Sequence, residues 1–150
     1  MLPRAALTSY LETLTQNIEE VVHLAGERFI LVCENYKLDE MFLDTLQPFL
    51  NSGELFLCWD LAKTFDRDGV RNKMLQEYFW ENLDVVKQVH LHDFRSNPPR
   101  QHRVIGTGFI DFMEFLPRLS KADIINYCIE VRPREKALES LNALTGLIQT

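Results

Sequence analysis

The chain has 150 residues, is 46% hydrophobic and 25% charged, and carries a formal net charge of −6. This is the composition of an ordinary folded domain, and with no linker in sight a single domain over residues 1–150 is expected. The acidic balance argues against a nucleic-acid partner, which calls for a basic face, and no run reaches the roughly 20 apolar residues that cross a membrane.

Met1-Leu2-Pro3-Arg4 lacks the long apolar stretch of a secretory leader. Cys33, Cys58 and Cys128 form no CxxC pair and sit in apolar runs, so they read as buried thiols rather than a disulfide or zinc framework. A cytoplasmic location follows as an expectation.

Leu7, Leu11, Leu14, Ile18, Val21, Val22 and Ala25 recur at steps of three and four, which predicts a helix ending at Gly26. Arg28 to Glu34 is an apolar run closed by a carboxylate, the pattern of a strand buried on both faces. A second helix is predicted from Asp39, as its cap, to Leu50, and Asn51-Ser52-Gly53 breaks it. The pattern then repeats. Leu55 to Asp60 is a strand, Val70 to Glu81 a helix, and Val85 to His92 a strand ending in histidines. A loop with Pro98, Pro99, Gly106 and Gly108 follows, then a short helix from Asp111 to Leu119. Ile124 to Glu130 is a last strand, and Glu135 to Ile148 a last helix with Pro133 near its first turn. A helix followed by four strand–helix units implies an α/β fold with parallel strands joined by right-handed crossovers.

The chemistry lies at the strand ends. Apolar runs terminate at Glu34, Asp60, His90 and Glu130, and the two-residue period of a strand puts Cys58 beside Asp60 and Cys128 beside Glu130 on one face. Three carboxylates and an imidazole converging on one mouth carry too much negative charge to stay ionised without a cation. A divalent metal resolves this, and the oxygen-rich donor set suits manganese, magnesium or cobalt, with zinc also compatible. Gly106 and Gly108 do not follow a strand, so they are no nucleotide fingerprint. Trp59 and Phe65 near the mouth fit core packing better than a substrate platform.

Five segments in order carry a resemblance: Cys33-Glu34-Asn35, Cys58-Trp59-Asp60-Leu61-Ala62-Lys63, Val89-His90-Leu91-His92-Asp93, the stretch from His102 to Gly108, and Ile129-Glu130-Val131. Together they resemble the sugar isomerase/epimerase and apurinic endonuclease superfamily of xylose-isomerase-like TIM barrels. The resemblance spans residues 28–148 and covers the C-terminal half of that barrel. It implies half of a (β/α)8 barrel, a metal held by Glu34, Asp60, His90 and Glu130, and Glu34 and Glu130 as paired acid and base. The implied reaction moves a proton on and off a carbon beside a carbonyl of a sugar or sugar-like substrate. Lys63, His92, Arg95 and His102 fall on the substrate side of the mouth, His92 chiefly as a donor to a metal ligand, and Arg103 joins Lys63 and Arg95 as a cation suited to a carboxylate or phosphate.

Two positions depart from the family. Lys63 stands where a histidine is usual, and Arg100 stands where the endonuclease branch has an aspartate. Both replacements argue against a multi-zinc nuclease and leave a one-metal site intact. Four units cannot close an eight-stranded barrel, so the first and last strands are expected to expose apolar edges. A homodimer, or a separate N-terminal half, would complete it. The alternative reading is a non-catalytic half-barrel remnant, or an assembly domain, of the same superfamily.

Overall fold

The structure is a computed structural model and describes residues 4–36, 38–98 and 101–148; Pro99 and Arg100 lie outside the described residues. Four parallel strands form one sheet in the order β1-β2-β3-β4: β1 (Val32–Glu34), β2 (Phe56–Asp60), β3 (Val86–Leu91) and β4 (Asn126–Ile129). Helices α1 (Arg4–Ala25), α2 (Glu40–Ser52), α3 (Lys73–Glu81), α4 (Phe112–Leu119) and α5 (Arg134–Ile148) alternate with them. This is the α/β alternation expected of four βα units preceded by a helix.

The chain folds as two compact units, Met1–Cys33 with Lys37–Phe56, and Glu34–Tyr36 with Leu57–Thr150. In the first unit, α1 turns Leu7, Leu11, Leu14, Ile18 and Val22 to a half-buried face, whereas Val21 is exposed. Helix α2 starts at Asp39, whose carboxylate accepts from the Phe42 amide at 2.9 Å, and stops at Gly53 in the left-handed region at φ 73°. Its buried stripe is Leu43, Leu46, Phe49 and Leu50.

The strand predicted from Arg28 is shorter than expected. Gly26, at φ 52°, opens a 3-10 turn through Arg28, and Phe29 and Ile30 remain exposed. The strand lies at the edge of the sheet, where among the described residues a neighbour is present on one side only, and pairing rather than hydrophobicity decides how far it extends.

In the second unit, β3 pairs with β2 and β4 in parallel register, with Asp60 opposite His90 and His90 opposite Cys128. One face of the sheet packs on helices. Trp59 is fully buried, stacks on Phe79 at 5.0 Å and meets Phe115 edge-on at 5.8 Å. Trp59 thus belongs to the core, as expected. The opposite face carries Cys58, Asp60, His90 and Cys128. Cys58 is buried, but Cys33 and Cys128 are only half-buried, which corrects the expectation for those two thiols. Both stand on edge strands, which no further strand among the described residues covers.

Helix α3 begins at Lys73 rather than Val70, because Asp66 first folds a turn by accepting from the amides of Asp68 and Val70, and Asn72 then caps the helix through the Leu75 amide. Across this turn Arg71 clamps Glu114 with two bonds, of 2.6 and 2.5 Å. The guanidinium holds the Glu114 carboxyl below its usual range, against a smaller opposing effect of burial. A carboxyl lowered on folding stabilises above its unfolded pKa and loses that contribution as pH falls through the folded one. Glu114→Gln is therefore expected to lower stability slightly at neutral pH, by under about 1 kcal/mol for a partly exposed pair. The gap between variant and parent should close below about pH 4.5, which urea titrations at several pH values would read.

Candidate metal centre

All residues of the centre lie in the second unit. Glu34 is the last residue of β1, Asp60 the last of β2, and His90 the next-to-last of β3. Glu130 lies one residue past β4, where its amide donates to the Leu91 carbonyl at 3.1 Å and continues the ladder. Parallel strands deliver their C-terminal ends to one rim, and every second side chain there points to the same side. One ligand atom from each of Glu34, Asp60, His90 and Glu130 lies within 4.8 Å of the others.

His90 Nδ1 stands between the two glutamates, 2.8 Å from Glu34 Oε1 and 3.3 Å from Glu130 Oε1. Its Nε2 meets the Gln88 side-chain amide at 2.7 Å. Asp60 is completely buried. Its carboxylate accepts from the Ala62 amide at 3.0 Å and contacts Lys63 Nζ at 3.1 Å and His92 Nε2 at 3.3 Å. Burial alone would raise the Asp60 carboxyl, but His92 and Lys63 outweigh it and hold the group below the usual range. Burial likewise opposes the charged His92, yet Asp60 pulls its pKa up.

His92 is fully buried and its Nε2 lies 3.4 Å from Asp60 Oδ2. Its Nδ1 receives the amide of His102 at 3.1 Å, and the two rings lie 4.4 Å apart. His102 has φ 56°, rare for a residue with a side chain, and its ring meets the Glu130 carbonyl at 2.9 Å. Lys63 sits inside the cluster, 2.8 Å from Glu34 Oε1. Arg95 points elsewhere: its guanidinium donates to the Thr107 carbonyl. Arg103 pairs its backbone with Asp93 in an antiparallel bridge.

Burial pushes the Cys58 thiol up to about 12, and Glu34, Asp60 and Glu130 add to the shift. Burial and then Glu130 raise Cys128 in the same sense. Cys58 lies within ligand reach of Glu34 and His90, and Cys128 of His90 and Glu130; the fullest group, Glu34, Asp60, His90 and Glu130, offers three carboxylates and one imidazole nitrogen. That set is the chemistry of manganese, magnesium, cobalt or zinc. Ligands on opposite sides of an ion bound at about 2.0–2.6 Å are roughly 4–5 Å apart, so the spacing within 4.8 Å fits a single ion. Charge agrees in sign: the carboxylates of Glu34, Asp60 and Glu130 carry more negative charge than the ammonium of Lys63 offsets, so the mouth attracts a cation.

Three supporting residues were not singled out from the sequence. The buried Asn35 amide donates to the Asp60 carbonyl at 3.0 Å and accepts from the Asp60 amide at 2.7 Å, so it completes the backbone pairing where β1 ends. The buried Asp93 carboxylate accepts from the amides of Phe94 at 2.9 Å, Gly108 at 2.7 Å and Ile110 at 3.2 Å. It thereby ties the loop that carries His102 to the end of β3. Gln88 fixes the far nitrogen of His90.

No family model and no curated protein matches the chain. Among solved structures, a D-tagatose 3-epimerase-like protein superposes with a TM-score of 0.52 at 15% identity, over 99% of this chain and 72% of that one. The shared arrangement is the fold expected from four parallel βα units, consistent with half of a (β/α)8 barrel.

Proposed function

We propose that the mouth holds one divalent ion through Glu34, Asp60, His90 and Glu130 and that the protein interconverts sugars or sugar-like compounds by moving a proton at a carbon beside a carbonyl. The observation that carries this reading is the convergence of the four donors within 4.8 Å on the rim of a parallel sheet. The likeness in fold to a D-tagatose 3-epimerase-like protein supports the same class of reaction.

When bound, the ion supplies an electrophile for the oxygens of the substrate's carbonyl and adjacent hydroxyl. The chain's own residues do the rest. Glu34 and Glu130 belong to the two outer strands of the four, so their carboxylates approach a shared space from opposite sides. One takes the proton from carbon and the other returns it, and exchange between faces inverts the centre. His90 touches both glutamates and keeps their spacing. Asp60, fixed by the Ala62 amide and by His92, is the most rigidly placed of the four. His102, beside Glu130, lines the mouth where a substrate hydroxyl would lie.

The test is a titration of chelator-treated protein with manganese, followed by incubation with a panel of ketoses in heavy water. One equivalent of ion and deuterium entering the carbon next to the carbonyl are expected. Stoichiometric binding lost in Asp60→Ala would locate the ion. Absence of saturable binding would sink the reading.

A further inference from the structure

We propose that Lys63 is a tethered cation seated in the ion's own place: it holds Glu34 and Asp60 together when no divalent ion is bound, and an ion enters by turning it out of the cluster. The proposal rests on the one-ion reading of the four donors.

The first support is where the ammonium sits. Nζ is 2.8 Å from Glu34 Oε1 and 3.1 Å from Asp60 Oδ2, one oxygen from each of two ligand side chains. Glu34 Oε1 is also the atom that His90 Nδ1 meets at 2.8 Å. The space between Glu34 and Asp60 is therefore already claimed by a positive charge. An ion bound at about 2.0–2.6 Å from the same oxygens would face that ammonium at close range, and two cations so placed repel.

The second support is how firmly Lys63 is presented. It lies in a 3-10 turn, Leu61–Thr64, that follows β2 without a linker. Asp60 closes the start of the turn through the Ala62 amide. Its end is closed by the Phe65 amide on the Ala62 carbonyl, at 3.2 Å, and by the Asn72 amide on the Thr64 carbonyl, at 2.8 Å. The Thr64 hydroxyl accepts from the buried Trp59 indole at 2.8 Å. A turn pinned at both ends aims the side chain inward and leaves it only 20% accessible. This is unlike a surface lysine that happens to find an acid.

The third support is the open side of the seat. The exposed Tyr36 ring already flanks the seated ammonium, its centroid 5.6 Å from Nζ, so the side chain can turn outward along an aromatic face rather than through buried groups. The consequence is an apparent ion affinity lowered by the fraction of molecules in which the ammonium holds the seat.

Isothermal titration of chelator-treated protein with manganese chloride tests this in wild type, Lys63→Gln and Lys63→Met. Lys87→Gln controls for net charge, since Lys87 pairs with Asp123 at 2.9 Å on another part of the sheet. Both Lys63 variants are expected to bind manganese at least tenfold more tightly than wild type, and to melt at lower temperature than wild type when ion-free. Lys87→Gln is expected to bind as wild type does. Should Gln and Met both prevent folding, Lys63→Arg keeps the charge and is expected to bind no more tightly than wild type; tighter binding there overturns the proposal. Equal or weaker affinity in the Lys63 variants, or an equal gain in Lys87→Gln, also overturns it. If wild type and every variant fail to bind manganese, the one-ion reading itself falls and takes this proposal with it, a pattern distinct from equal binding.

Discussion

Asp93→Ala is expected to destabilise the protein by about 3–5 kcal/mol, because it strips the acceptor from three backbone amides, those of Phe94, Gly108 and Ile110. Each buried donor left without a partner costs about 1–3 kcal/mol, and water entering the gap recovers part of it. Against a total of about 5–15 kcal/mol for a domain, the loss is severe. The carboxylate is fully buried and spends both of its oxygens on these amides. Asp93→Asn keeps one acceptor oxygen and should fall between variant and parent. An added methyl at Gly108 reaches the same place by another route. Its Cβ would stand 2.1 Å from the Phe94 carbonyl oxygen and 2.2 Å from Asp93 Oδ1, and backbone cannot move aside cheaply. Denaturant unfolding of Asp93→Ala within about 1 kcal/mol of the parent would show that the loop holds itself without this carboxylate.

The second large effect concerns the glutamates. With manganese bound and an accepted ketose present, Glu34→Gln and Glu130→Gln should each slow deuterium uptake at the carbon beside the carbonyl by about 10²–10⁴-fold, the usual contribution of a positioned acid or base. Glutamine keeps an oxygen that can face an ion but cannot take a proton at neutral pH. Ion occupancy measured beside the exchange rate therefore separates loss of a base from loss of a ligand. Both residues are partly accessible, 32% for Glu34 and 29% for Glu130, so folding should be little affected. Exchange within tenfold of the parent in both variants, at full occupancy, would remove the glutamates from the chemistry.

The strand-end residues could be found from the sequence because a parallel sheet converts a one-dimensional pattern into a place. An apolar run closed by a carboxylate or histidine, repeated with helices between, puts those closures on one rim whatever the loops do. Glu34, Asp60 and Glu130 needed nothing else, whereas the choice of His90 over His92 came with the family resemblance. Asp93 and Asn35 did not carry such a mark. Asp93 acts on amides up to Ile110, and that reach depends on how the loop folds back, which no local pattern encodes. Asn35 imitates a strand's pairing with a side chain, and the same dipeptide on a surface loop would look identical. Strand limits failed for a related reason. Phe29 and Ile30 are as apolar as any core residues, but extension of an edge strand is decided by a partner far away in sequence. Lys63 was legible as a foreign charge near the mouth; that its ammonium points into the acids follows from the 3-10 turn, whose closing bonds come from Phe65 and Asn72.

Trp59 gives this molecule an optical sensor of its own. The indole is sealed from water, donates to the Thr64 hydroxyl at 2.8 Å, and is flanked in sequence by Asp60, while Thr64 directly follows Lys63. Its excited-state dipole therefore samples the electric field of the mouth without touching whatever enters it. A change of charge there shifts the emission of a residue that solvent quenchers do not reach. Replacing Trp80, the second tryptophan and a 4.6 Å neighbour, by phenylalanine would leave Trp59 as the sole tryptophan, so that emission excited beyond the tyrosine band comes from Trp59.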